Sequence, residues 1–103
     1  MLTQQYIMLE IDLKKSREFK NLCKVLAKFN DEKDVAAFLR DICTYRELED
    51  MSERLEAAVR IDKGIPYRDI NQQTGTSTAT ISRVAKWLSH GCGGYQKALK
   101  FLK

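Results

Sequence analysis

Apolar positions in this chain recur mostly at spacings of three and four, so the pattern predicts a succession of short amphipathic helices. From Ser16 onward, Phe19, Leu22, Cys23, Leu26 and Phe29 form one stripe, which Asn30-Asp31 ends. A second helix of about ten residues places Val35, Phe38, Leu39 and Ile42 on one face, with Asp31 or Asp34 accepting from a free first-turn N–H. Thr44-Tyr45-Arg46-Glu47 has the form of a capping box, because the hydroxyl and the carboxylate can each satisfy the other's backbone donor. The third helix then buries Leu48, Met51, Leu55, Ala58 and Val59, runs to Lys63 and stops at Gly64.

Pro66 follows directly and suits the first turn of a fourth helix, 66–74, with Ile70 inward; Gly75 is a turn. A fifth helix is predicted from Thr76 to Leu88, capped by Thr76 or Ser77, with Ile81, Val84, Ala85 and Leu88 inward. His90-Gly91-Cys92-Gly93-Gly94 reads as a break before a last helix, 95–102, built on Tyr95, Ala98, Leu99 and Leu102. Only the first 15 residues resist the scheme. There Ile7, Leu9, Ile11 and Leu13 alternate as in a strand, while the neighbouring charges suit a helix, and the segment is treated as an N-terminal arm. The expected fold is all-α: an arm, dimerisation helices over 16–63, and a head over 64–103, together forming one domain.

Composition narrows the function classes. At 103 residues, 44% hydrophobic and with a single Pro, the chain is the size of one folded domain. Its three cysteines, Cys23, Cys43 and Cys92, have no paired spacing and read as buried thiols of a cytoplasmic protein, rather than as a disulfide framework. No apolar run approaches the roughly 18 residues of a membrane span. Charge is more telling in its placement than in its net value of +4: residues 1–69 hold 13 Lys/Arg against 14 Asp/Glu, whereas residues 70–103 hold five Lys/Arg and no acid. A surface cleared of carboxylates favours a polyanionic partner, since each Lys or Arg near a phosphate releases a counterion.

The short helix, glycine turn and second helix that occupy this basic region follow the helix-turn-helix plan, in which the second helix enters the DNA major groove. The residue types fit. Thr78, Ala79 and Thr80 are small enough for close approach to base edges, and the threonine hydroxyls can bond to either base type. Arg83 and Lys86 can reach phosphates or a guanine edge, and Arg68 on the preceding helix can grip the backbone.

The runs Leu55 to Gly64, Pro66 to Ile70, and Thr74-Gly75-Thr-Ser-Thr-Ala-Thr-Ile-Ser-Arg83 resemble the Trp repressor family, in the branch labelled YerC/YecD, over roughly residues 33–103. The resemblance implies an all-helical, intertwined homodimer, with interlocking N-terminal helices and two reading heads facing successive major grooves. It places Arg68, Asn71, Ser77, Thr78, Ala79, Thr80, Ser82 and Arg83 on DNA-contacting positions. It also implies an altered effector pocket. The two arginines that sandwich the indole in tryptophan-sensing members have counterparts in Arg54 and Arg83, but Val84 stands where those members have glycine, and Trp87 where they have a small serine. L-Tryptophan is therefore not expected to be an effector.

The apolar stripes independently favour self-association, being more than a thin layer of helices can cover in a chain this size. Other chemistry finds little support. His90 and Cys92 fall short of the four ligands of a structural zinc site, so no metal or cofactor is expected. Glu47, Glu49, Asp50, Glu53 and Glu56 read as the solvated face of an Arg-containing helix. Ser82 has no histidine beside it, so an enzyme is not expected. The reading is a dimeric DNA-binding transcriptional regulator, a repressor; the alternative is a helical protein-interaction module of the transcription machinery.

Overall fold

A computed structural model describes residues 17–103, and among them every regular element is an α-helix. The N-terminal arm, 1–15, lies outside the described residues. The elements are α1 (residues 17–28), α2 (Glu32–Ile42), α3 (Tyr45–Asp62), α4 (Tyr67–Thr74), α5 (Thr78–His90) and α6 (Gly94–Phe101). The chain divides into two compact units, with the boundary between Leu48 and Glu49, inside α3 rather than at its end.

In the first unit, Asp31 is the residue that starts α2: its carboxylate accepts from the Lys33 N–H at 3.0 Å. The Phe29 and Phe38 rings meet with centroids 5.5 Å apart, within the range where tilted aromatic pairs attract. The capping box forms as the sequence predicts. The Glu47 N–H donates to Thr44 Oγ1 at 3.1 Å, and the Thr44 N–H donates to Glu47 Oε1 at 2.7 Å. None of the described residues between 17 and 48 is buried; Phe19, Leu22, Phe29, Val35, Phe38, Leu39 and Leu48 are each only half-covered. Cys23 is exposed and Cys43 half-buried, and in the second unit Cys92 is exposed too, so the expectation of buried thiols is overturned. Among the described residues no packed layer buries the helical stripe that carries Cys23, and Val25 and Leu26 beside it are also exposed.

In the second unit α3 ends in a glycine-closed turn. Gly64 takes φ +82°, its N–H reaches the Ile61 carbonyl at 2.9 Å, and the Ile65 N–H reaches the Arg60 carbonyl at 3.1 Å. Pro66 precedes α4 instead of entering it. Its extended ψ of 146° places it at the N-cap. Helix α5 starts and ends two residues later than predicted: Ser77, and not Thr76, is its cap, and the helix continues through His90 before Gly91 stops it. The break before α6 is therefore confined to residues 91–93.

Ala57 and Ala58 of α3, Val84 of α5 and Leu99 of α6 form the core, with Val59, Ile61, Leu88 and Tyr95 packed against it. α4 packs on α5, and α5 on α6. Ile70 and Ile81, one on each of α4 and α5, are wholly shielded from solvent; burying each contributes ~1.5–3 kcal/mol. Ala57 and Ala58 bring α3 into a small core that it shares with α5 and α6.

Candidate nucleic-acid interface

Helices α4 and α5 are joined by Gly75, Thr76 and Ser77 alone. Gly75 adopts φ +77°, a left-handed conformation that costs a side-chain-bearing residue about 1 kcal/mol or more, and its N–H closes α4 on the Asn71 carbonyl at 2.8 Å. Side chains complete the turn. Thr74 Oγ1 donates to the Ile70 carbonyl at 2.7 Å and accepts from the Thr76 N–H at 3.1 Å. Asn71 Nδ2 donates to the Thr76 carbonyl at 2.7 Å, and Thr76 itself is buried. Ser77 Oγ accepts from the Thr80 N–H at 3.1 Å and donates to Thr80 Oγ1 at 3.0 Å.

The predicted contact residues divide accordingly. Arg68, Ser77, Thr78, Ala79, Ser82, Arg83 and Lys86 are exposed; Thr80 and Asn71 are half-buried. Thr78, Ala79, Ser82, Arg83 and Lys86 recur at helical spacing, so α5 presents them as a continuous polar strip whose inner side is held by Ile81 and Val84. The first turns of α5 carry no acid. Ser77, in contrast, has its hydroxyl engaged in the cap, and the Asn71 amide points back into the turn.

Sequence reasoning missed the contribution of Thr74 and Thr76. Their signal was the Thr-Gly-Thr-Ser run, in which hydroxyls flank the glycine that bends the chain. It also missed Arg60, whose guanidinium donates through Nε to Glu56 at 2.7 Å and through Nη1 to Gln73 on α4, tying α4 to α3. The Glu56–Arg60 pair is an i,i+4 ion pair along the exposed face of α3.

The altered-pocket residues lie around α5 and α6. Val84 is buried against Ala57, Ala58 and Leu99. Trp87 lines an apolar cleft of about 400 Å³ with Leu55, Cys92, Gly94, Tyr95 and Ala98. Its indole lies so close over Gly91 that a Cβ there would stand 2.9 Å from Trp87 Cε3. Burial pushes the Tyr95 phenol above its ordinary value, and the charge of Arg54 pulls it partly back, which places the Arg54 guanidinium within electrostatic reach of this cleft. Arg83 is exposed one helical turn before Trp87. Among the described residues no three His, Cys, Asp or Glu side chains gather as a metal site, and no helix is long and apolar enough to cross a membrane.

Residues 17–103 match the profile of the family described as Trp repressor protein. A Bacillus subtilis (strain 168) protein, named "Uncharacterized protein YerC", is 35% identical over 95 residues, covering 92% of this chain and 91% of its own. The crystal structure of a TrpR like protein from Eubacterium eligens ATCC 27750 superposes with a TM-score of 0.79 at 34% identity, over 85% of this chain and 91% of that one. A crystal structure from Staphylococcus aureus gives a TM-score of 0.81 at 32% identity, over 89% and 92% of the two chains.

Proposed function

Since this chain belongs to the Trp repressor family, we propose that it is a sequence-specific DNA-binding transcriptional regulator, a repressor, that reads the major groove with α5 as a homodimer. The observation that carries the reading is the exposed strip Thr78, Ala79, Ser82, Arg83 and Lys86, on a helix that itself carries no acid and stands behind a three-residue turn. Short side chains at the helix start allow close approach to base edges, and the two cations further along reach phosphate or guanine. Arg68, on α4, is a phosphate ligand on the same reading. Duplex DNA is the partner, and the site of action is the cytoplasm, on the nucleoid when bound.

Dimerisation is supported by the half-covered apolar faces of α1 and α2, together with the exposure of Met51, Leu55, Phe101 and Leu102. A second copy offers the same faces in two-fold relation and supplies the second half-site that one short reading helix needs. Independence from L-tryptophan is part of the proposal. Val84 is buried in the core and the Trp87 indole, 39% exposed, forms one wall of the apolar cleft; on this reading no ligand is required to position α5.

Selection of bound duplexes from a random pool, followed by titration of the recovered sequence in rising salt, tests the reading. A recovered two-fold motif, with log K falling steeply against log[salt], is the expected result. An affinity that barely responds to salt, with no recovered motif, would instead favour the protein-interaction module. Isothermal titration of the same protein with L-tryptophan is expected to give no saturable heat and less than a twofold change in DNA affinity.

A further inference from the structure

We propose that Asn71 is a positioning residue for the reading helix and does not itself contact DNA; this rests on the reading of α5 as a DNA-reading helix. Three observations converge on it. The Asn71 side chain is half-buried, unlike Arg68 on the same helix. Its amide donates across the turn to the Thr76 carbonyl, five residues on, at 2.7 Å, and its own backbone carbonyl accepts from the Gly75 N–H at 2.8 Å. One residue thus holds the turn from both its side chain and its main chain, and Thr76 is the residue immediately before the Ser77 cap of α5.

The physical consequence is directional. The Thr76 carbonyl lies at the entrance of α5, in a buried residue, and a carbonyl left unpaired there costs the desolvation of its oxygen unless the turn opens to water. The Thr74 hydroxyl fixes the other side of the same residue by accepting from the Thr76 N–H. With both the N–H and the C=O of Thr76 anchored to α4 side chains, the angle at which α5 leaves α4 is set by α4 itself. Removing the Asn71 donor frees that angle while leaving every exposed contact residue of α5 chemically intact. The loss therefore falls on all base positions read by Thr78, Ala79, Thr80 and Ser82 together, and spares the phosphate contact of Arg68 on α4.

The test compares wild type with Asn71→Asp, which sets a carboxylate oxygen against the Thr76 carbonyl; with Asn71→Ala, which removes the donor without adding charge; and with Asn71→His, whose Nδ1–H lies the same number of bonds from Cβ as the asparagine amide. Hydrogen exchange in the free protein needs no DNA. The expected result is at least tenfold faster exchange at the Gly75, Thr80 and Ile81 amides in the Asp and Ala variants, with amides in the middle of α3 within twofold of wild type and the His variant restored. Binding is then measured to the duplex that wild type selects and to a scrambled duplex. The ratio of the two affinities should fall tenfold or more in the Ala variant and recover in the His variant, while the scrambled-duplex affinity and its salt slope stay put. Unchanged exchange at the turn, or a loss of preference confined to one base pair, would overturn the proposal. Should Asn71→Asp unfold, the Ala and His pair carry the comparison. Should wild type prefer no duplex at all, the DNA-reading function falls, and the exchange measurement still decides whether Asn71 holds the turn.

Discussion

Thr80 and Arg83 sit one turn apart on α5, yet their surroundings give them different work. The Thr80 hydroxyl accepts from Ser77 Oγ, so in the proposed role its own proton is the group to offer a base, with an acceptor edge such as guanine O6 or thymine O4 as its match. Thr80→Ala keeps the helix cap, because the cap is made to the backbone N–H. It is expected to relax preference at one base pair by ~1–3 kcal/mol, with the salt slope unchanged. Arg83 is exposed and cationic; Arg83→Ala is expected to weaken binding to all duplexes and to reduce the salt slope by about 1. Fluorescence anisotropy on matched and mismatched duplexes separates the two, and identical profiles would remove the assignment.

Tyr95 provides a second residue-scale test. Its phenol is raised above 10.0, chiefly by burial, with Arg54 opposing. The unfolded chain therefore gives up the proton first as pH rises. Stability attributable to this group is intact below pH 10, and is lost as pH climbs through that value toward the folded pKa. Tyr95→Phe should lessen the fall in denaturant midpoint between pH 9 and pH 11, measured beside wild type. An equal fall in both proteins would show that Tyr95 carries none of it.

Among the elements, α3 shows how local chemistry sets helix limits. Its start is a reciprocal pair between Thr44 and Glu47, and its end a left-handed glycine with two backbone bonds back into the last turn. Thr44→Ala removes one half of the pair and is expected to destabilise the protein by about 1 kcal/mol, with most of the loss recovered by Thr44→Ser; urea denaturation reads both. The other helix limits show where such signals compete. Both Thr76 and Ser77 have hydroxyls suited to capping α5. Ser77 takes the position because Thr76 is drawn into the turn by Thr74 and Asn71. Pro66 is held outside α4 by its extended ψ. Residue type made each of these positions a candidate, and only the neighbouring bonds chose among them.

At the scale of the molecule, the uneven burial is the dominant fact. The core gathers around Ala57, Ala58, Val84 and Leu99, while α1 and α2 have no buried residue and Phe101 is 88% exposed at the other end of the chain. Apolar surface left in water at ~25 cal/mol per Å² is a standing drive to associate. Light scattering across a dilution series at micromolar concentration is expected to give twice the chain mass of 11.9 kDa. Constant monomer mass would overturn the dimer. A charge at a half-covered position of α2, as in Phe38→Glu, should lower the association constant at least a hundredfold, and with it the affinity for a two-fold duplex.

Among the described residues, spacing of apolar positions was enough to find five of the six helices, because a 3.6-residue period survives whatever the helix later packs against; α4 was marked instead by Pro66 and Gly75. Local capping chemistry was equally legible at Asp31, Thr44 and Gly64, where donor and acceptor lie within a few residues of each other. The charge asymmetry and the run through Arg83 pointed to α5 as the proposed reading helix and to the family. Burial was not legible. Cys23 and Leu26 lie on an apolar stripe, yet are exposed in the single chain, because a stripe records which face avoids water and not what covers it. The family resemblance puts Asn71 on a DNA-contacting position; that its amide turns toward Thr76 depends on how α4 meets α5, a relation between two helices that no single-residue pattern encodes. The same holds for Arg60 and Gln73, thirteen residues apart and joined only by the fold. Periodicity and capping are short-range and written in neighbouring residues; the direction of a half-buried amide and the cover over an apolar face depend on distant segments, and the tertiary structure alone resolves them.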